Sequence, residues 1–554
     1  MSPASHLGID AGATPPTRRG TLVGVLLFIA LVAAALRFIG LSWGLPYPLH
    51  PDEGVILARV ATMSWSNLNP GFFIYPGFFI YQVFALDRLV AALGGEPWQV
   101  IYAARLLTAL YSLATVAFVY LIGTRLGGAR TGAMAAALTA VTGALTLHAH
   151  YAVTDTPMAA LATATVWLSV RAWQRRSRGG MFAAAALAGL AVSTKYSAVM
   201  VCFVPWIGLM ALAAARARAP LTRRAAATVL LAATSIAAFL VTSPYTVLDY
   251  RGFLDDIAVE SHLQARARAG YHVDPLDQPR LVDRGLVANT TAAFADLGPA
   301  AFGLAVGTAL LLLGAIPGAL RALRHGGSAT EPVASTDPSA RDPVAGLLVV
   351  AWVLGYFLFM APSAIGGQRY ILPVYPAMMV LAALGIEQFV GLWRHKGRLR
   401  GAAAATAAAI AILVVAATPP LIEAVTDARL LAQRDTRLVA RDWILANIPQ
   451  RSHLAREFYT PPIYTDDNYR LSQPFSLTEH PLETYCKEQV DYLVLSSLNA
   501  ARYLSSDESR FAEERAWYDR LDERTRVVHR VDGKGHLELH DPAIEIRRLF
   551  CPGQ

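Results

Sequence analysis

Charge is scarce in this sequence. Only 16% of its 554 residues are Asp, Glu, Lys or Arg, and 55% are hydrophobic, whereas a soluble globular chain carries about a quarter charged. That scarcity excludes both an ordinary soluble enzyme and a disordered polar chain. Cysteine is scarcer, at three residues. Cys202 lies within an apolar run, so no disulfide framework exists, although Cys486 and Cys551 could pair. There is no P-loop, no Gly-rich dinucleotide fingerprint and no Gly-x-Ser-x-Gly elbow. The first apolar run lacks a small-residue cleavage site after it and reads as a retained helix.

Apolar runs are abundant. About eleven are long enough to span a hydrocarbon core, near 21–43, 100–123, 131–148, 156–172, 181–195, 197–215, 225–243, 298–320, 344–362, 371–392 and 401–418. Basic residues alternate between them as cytoplasmic loops require: Arg18 and Arg19; Arg125 and Arg130; Arg171, Arg175, Arg176 and Arg178; Arg216, Arg218, Arg223 and Arg224; Arg321 and Arg324; Arg394, Lys396, Arg398 and Arg400. The net charge of +8 is thus explained loop by loop, and nucleic acid is not an expected partner.

The opposite face receives the loop 44–99, the turn 148–155, the segment 245–297, the turn 363–370 and the C-terminal part. Residues 1–20 read as a disordered cytoplasmic N-terminus, and the Ser-, Pro- and Ala-rich stretch 326–343 as a flexible linker. From 421 to 554 the composition shifts to charged residues, aromatics and short strand-like runs such as Asp491–Ser496 and Arg526–Val531, after a helical pattern at Asp435–Ala446. The expected architecture is an α-helical polytopic membrane protein, with its membrane part at 21–420 and a small C-terminal α/β domain outside the membrane.

Candidate chemistry gathers on that outer face. His50-Pro51-Asp52-Glu53-Gly54 places two adjacent carboxylates just after the first helix. An amphipathic stretch, Ala58–Trp65, and the aromatic run Asn69–Tyr81 follow, suited to a membrane interface. Asp155 adds a third carboxylate, unless it merely caps the next helix with Pro157 in the first turn. Arg105, Lys195 and Arg369 are basic against the topological trend, and a charge at a helix mouth needs a partner: a carboxylate or a bound phosphate. Arg37 reads as a snorkelling residue. His148, His150 and Asp155 could ligate a divalent metal, at unspecific spacing.

Taken in order, His50-Pro-Asp-Glu53, Asn69-Pro-Gly-Phe-Phe73, Tyr75-Pro-Gly-Phe-Phe-Ile-Tyr81, Thr154-Asp-Thr-Pro157, Ser193-Thr-Lys-Tyr196 and Gln368-Arg-Tyr-Ile-Leu-Pro373 resemble the lipid-carrier-dependent membrane glycosyltransferases of GT-C type. That superfamily includes protein O-mannosyltransferases and the lipid A aminoarabinose transferase. The resemblance implies a polyprenyl-phosphate-linked sugar donor and transfer to an envelope lipid, polysaccharide or protein outside a bacterial inner membrane. By the same matching, Asp52 is the catalytic acid with Glu53 its neighbour, and Asp155 is a second acid. Lys195, Arg369 and Arg105 are donor-phosphate ligands, and His50, Tyr75 and Tyr81 lie at the acceptor or interface side. No cofactor is required, and a divalent metal remains an option. The aminoarabinose transferases carry Lys-Pro-Pro where this chain has Tyr75-Pro76-Gly77, which places a lipid A acceptor and an aminoarabinose donor in doubt. A transporter or lipid flippase is the competing reading, against which stand the one-sided acids and the lack of internal repeats. A scaffold that uses its helices only as anchors would need far fewer of them.

Overall fold

The computed structural model describes residues 16–214, 220–268, 300–301, 303, 307–309, 342–360, 368–504, 511–534 and 539–551. Of the N-terminal stretch expected as disordered at 1–20, residues 16–20 instead begin the first helix; residues 1–15, most of the expected helix 298–320 and nearly all of the linker 326–343 lie outside the described residues, as does most of 245–297 beyond residue 268.

Helix α1 (Pro16–Phe38) contains no acid and carries Arg37 in its last turn. Arg37 does not snorkel. It is fully buried, and its guanidinium donates to Ser112 Oγ at 2.7 Å, to the Ala140 carbonyl at 2.9 Å and to the Ala33 carbonyl at 3.0 Å. Those acceptors tie α1 to α4 (Pro97–Gly127) and α5 (Ala129–Val141), a better solution than reaching the interface because every bond is charge-assisted.

Between α1 and α4 lie α2 (Pro51–Thr62) and α3 (Gly77–Ala92). Helix α2 buries Ile56 and Val60 against Phe79, Ile80 and Val83 of α3, the i, i+4 stripe that one helical face presents.

The run expected as one helix at 131–148 is broken. Helix α5 stops at Val141, α6 (Gly143–Leu147) follows, and the two are bent by 67°. The bend turns His148–Asp155 across the bundle before α7 (Asp155–Gln174). Helices α8 (Arg178–Val192), α9 (Phe203–Ala214) and α10 (Leu221–Thr242) succeed it, with α7 along α8 and α8 along α10. Helix α11 (Tyr250–Arg268) follows, then α12 (Pro343–Met360) and α13 (Tyr375–His395).

Helix α13 is the core of the bundle, buried along nearly its whole length. At Gly385 it touches backbone: a Cβ there would lie 2.0 Å from the Gly303 carbonyl oxygen, so only glycine permits that approach. Seven helices among the described residues are long and apolar enough to span a membrane, or eight if the bent pair counts as one. The 20-residue α7 and 15-residue α8 occupy two further expected positions.

Helix α14 (Gly401–Leu431) runs past the expected end at 418, with Pro419 and Pro420 inside it. It leads into α15 (Thr436–Asn447), capped by the Asp435 side chain. A five-stranded sheet follows: β1 (His453–Arg456), β2 (Arg470–Ser472), β3 (Tyr492–Ser496), β4 (Thr525–Val531) and β5 (Ile544–Leu549). The order is β2-β1-β3-β5-β4, with β1 parallel to β2 and β3, and β5 antiparallel to β3 and β4. Alternation along β3 sends Val494 towards Ile444 of α15, and Leu493 and Leu495 to the other face with Tyr485 and Trp517. Cys486 and Cys551 form a disulfide.

Candidate active site

His50 ends the extended chain before α2. Its Nδ1 accepts from the Asp52 N–H at 3.2 Å, which leaves the ring proton on Nε2 in a neutral imidazole. Pro51 opens the helix, and Asp52 and Glu53 occupy its first turn, where the helix dipole favours negative charge. The two neighbouring carboxylates therefore leave the helix about 100° apart and meet different partners.

Asp52 faces the bundle mouth. Its Oδ2 accepts from Arg369 Nη2 at 2.7 Å. The same Nη2 lies 3.8 Å from Asp155 Oδ2, and Asp155 Oδ1 accepts from Lys195 Nζ at 2.5 Å. Acid, base, acid and base thus alternate from α2 through the turn before α13 and the start of α7 to the turn after α8. Asp155 is not a capping residue in this arrangement, since its side chain is spent on Lys195 and Arg369. Burial would raise the Asp52 carboxyl, but Arg369 and His50 beside it outweigh this and hold it below the usual carboxylate range.

Glu53 points the other way. Its carboxylate takes both prongs of Arg105, Nε and Nη2, at 2.7 Å each, and the Ala152 N–H at 2.8 Å. Arg105 Nη1 donates to the Leu41 and Trp43 carbonyls at 3.1 and 2.5 Å. Both side chains are 0% exposed, so Arg105 joins α2, α4 and the 41–43 turn instead of standing beside Lys195 and Arg369.

Tyr75 lies within the field of Asp52, Arg369 and Asp155; burial, and then the Asp52 charge, push its phenol well above the ordinary value. Tyr81 is elsewhere, its hydroxyl on the Leu68 carbonyl at 3.3 Å. His148 is buried nearby, and its Nε2 has no hydrogen-bond partner among the described residues. His150 Nδ1 and Nε2 lie 2.9 Å from the Thr146 and Ile39 carbonyls. Among the described residues no three His, Cys, Asp or Glu side chains gather as a metal site.

Two groups at the site escaped the sequence reading. The Tyr370 ring lies under both Lys195 and Arg369, at 5.7 and 5.4 Å from its centroid; its place beside Arg369 was the available signal. His540 arrives from the C-terminal domain: its Nε2 meets the Tyr151 hydroxyl at 2.5 Å and its ring lies 4.0 Å from Trp43. Asp435 and Arg437 complete that junction, Asp435 accepting from Trp43 Nε1 at 3.1 Å and Arg437 donating to the Leu49 carbonyl at 3.3 Å. No motif marks His540.

The fold around this site has solved counterparts. The oligosaccharyltransferase of Archaeoglobus fulgidus in its apo form superposes with a TM-score of 0.53 at 14% identity, over 88% of this chain and 72% of that one. The same archaeal enzyme, AglB, in complex with an inhibitory peptide and a dolichol-phosphate, gives 0.51 at 13%, over 91% and 71%. This is a GT-C fold. ArnT from Cupriavidus metallidurans, bound to undecaprenyl phosphate, scores 0.44 at 16% identity over 96% and 98%. Within the GT-C chain, residues 83–246 match the family described as dolichyl-phosphate-mannose-protein mannosyltransferase, a stretch that includes Arg105, Asp155 and Lys195. Comparison with curated protein sequences yields no match.

Proposed function

We propose that this chain transfers a sugar from a polyprenyl-phosphate donor to an envelope lipid, polysaccharide or protein acceptor, with inversion at the anomeric carbon and Asp52 as general base. The observation that carries the reading is the alternating set Asp52, Arg369, Asp155 and Lys195 at one end of a GT-C bundle. The family matched by residues 83–246 is described by a dolichyl-phosphate-linked sugar, and the archaeal relative holds a dolichol-phosphate, so a lipid phosphate is the natural donor class.

The chemistry needs two things. An acceptor hydroxyl must lose its proton as it attacks the anomeric carbon, and the departing phosphate must be stabilised as it takes the electron pair of the breaking C–O bond. Arg369 and Lys195 suit the second task, and Asp155 holds Lys195 in position for it. When a phosphate draws Arg369 away from Asp52, the carboxylate loses the cation that lowers its basicity and becomes a better base. Donor binding and base activation are thereby coupled through one guanidinium. Glu53 and Arg105 act as a positioning pair that fixes the start of α2. In this reading the set faces the extracytoplasmic side of a bacterial inner membrane, with the C-terminal domain on the same side, an orientation that the Lys and Arg distribution supports.

The test is mass spectrometry of envelope glycans, lipids and carrier-linked sugars from cells lacking the protein, complemented with wild type or Asp52→Asn. One sugar mass should vanish from an acceptor and return only with wild type. Equal restoration by a normally expressed Asp52→Asn chain would remove Asp52 from the role of base.

A further inference from the structure

The C-terminal domain holds a second polar cluster, remote in sequence from the transfer site and unused by it. In the order β2-β1-β3 the chain leaves β1 for β2 on one side and returns to β3 on the other. The carboxyl ends of β1 and β3 therefore flank a topological switch point, where open α/β sheets bind their ligands. Glu457 follows β1 directly. Asn499 and Arg502 lie on the helix after β3, and Phe475 follows β2.

The three polar residues are buried and incompletely satisfied. Glu457 is 1% exposed, Asn499 0% and Arg502 7%. Glu457 accepts from the Ser496 N–H at 2.7 Å and the Leu477 N–H at 3.3 Å. Among the described residues Arg502 Nε and Nη2 and Asn499 Oδ1 have no hydrogen-bond partner, and no described carboxylate forms an ion pair with Arg502. A buried guanidinium with two nitrogens lacking acceptors is costly, and each such orphan calls for an explanation in what the site receives. The guanidinium sits 4.7 Å from the centroid of Phe475. That ring stacks on Phe458 at 5.4 Å, and both phenylalanines are more than a third exposed, a solvent-facing apolar platform beside the buried polar groups.

We propose that this switch point binds a saccharide carrying a carboxylate or phosphate, as a holding site for the acceptor glycan. Arg502 takes the anionic group in charge-assisted hydrogen bonds, and Phe458 and Phe475 cover the C–H face of the ring. A bare anion would satisfy Arg502 alone. Burial pushes Glu457 up to about 8, so at neutral pH it stays protonated and does not repel the anion. The choice of a sugar rests on the transfer reading. Position fits the role: Ser496 at the end of β3 pairs with Ile544, four residues past His540, so the cluster lies at the sheet end that docks on the membrane part.

Saturation-transfer NMR on the full chain in detergent, with glucuronic acid, glucose 6-phosphate, glucose and inorganic phosphate as probes, tests this directly. The two acidic sugars should bind at least tenfold more tightly than glucose or inorganic phosphate. Arg502→Gln should abolish their binding, and Phe475→Ala, at a more exposed position, should weaken it while leaving the buried groups in place. Asp52→Asn should bind them as wild type does, which separates this site from the transfer reaction. No binding of either acidic sugar, binding unchanged in Phe475→Ala, or inorganic phosphate binding equally well would overturn the proposal.

Discussion

Glu53→Gln distinguishes a positioning pair from a catalytic one. The substitution keeps the shape of the side chain and removes its charge, leaving Arg105 fully buried opposite a neutral amide. Breaking a buried pair by neutralising one partner costs about 3–5 kcal/mol, because the remaining charge stays desolvated. Arg105→Met should cost more, since it strands the Glu53 carboxylate and in addition the Leu41 and Trp43 carbonyls, at about 1–3 kcal/mol for each unsatisfied group. In the double variant Glu53→Gln with Arg105→Met no unpaired charge remains, so its loss should be well below the sum of the single losses, though not zero while the two carbonyls lack donors. Such non-additivity is the mark of contacting groups. Unfolding midpoints of the full chain in detergent at one scan rate, alongside transfer rates per folded molecule at low temperature, provide both readouts. Wild-type unfolding of Glu53→Gln together with a thousandfold loss of transfer would refute the positioning role and return Glu53 to the chemistry.

Lys195→Ala and Arg369→Ala should each raise the donor concentration needed for half-maximal rate by about 10- to 100-fold, the worth of one charged hydrogen bond of about 1.5–3 kcal/mol; unchanged donor dependence in both points to other phosphate ligands. Asp435→Asn should lower the unfolding midpoint, because the carboxylate that holds Arg437 at 2.8 Å and Trp43 at 3.1 Å lies at the seam between the two parts; an unchanged midpoint would show the seam to be held elsewhere. Glu457 gives a pH signature. Its folded carboxyl keeps a proton up to about 8 while an unfolded glutamate loses it near 4.3, so between those values the unfolded state binds fewer protons and rising pH weakens folding by up to about 1.4 kcal/mol per unit. Glu457→Gln should flatten the stability profile of the full chain over that window, and an equally steep profile in the variant would assign the slope to another group.

The membrane fold was legible because spanning helices announce themselves by length and by the near-absence of charge. Asp52, Asp155, Lys195 and Arg369 were legible for the complementary reason, as charges at helix mouths that needed partners. Glu53 and Arg105 were drawn towards the same site because a sequence shows which charges face one side of a membrane but not which way each side chain leaves a helix. One residue along α2 turns the carboxylate by about 100°, enough to send Asp52 to Arg369 and Glu53 to Arg105. The break at Thr142-Gly143 was hidden because an apolar run that bends 67° has the same hydropathy as a straight one. His540 was beyond sequence reasoning altogether. It reaches Tyr151 across 389 positions, and its contacts depend on how the sheet docks, which tertiary packing decides. The same dependence makes the docking consequential: Tyr151 lies 4.6 Å from the His50 ring, and His50 caps Asp52, so the path from the C-terminal domain to the proposed base passes through only two intervening side chains.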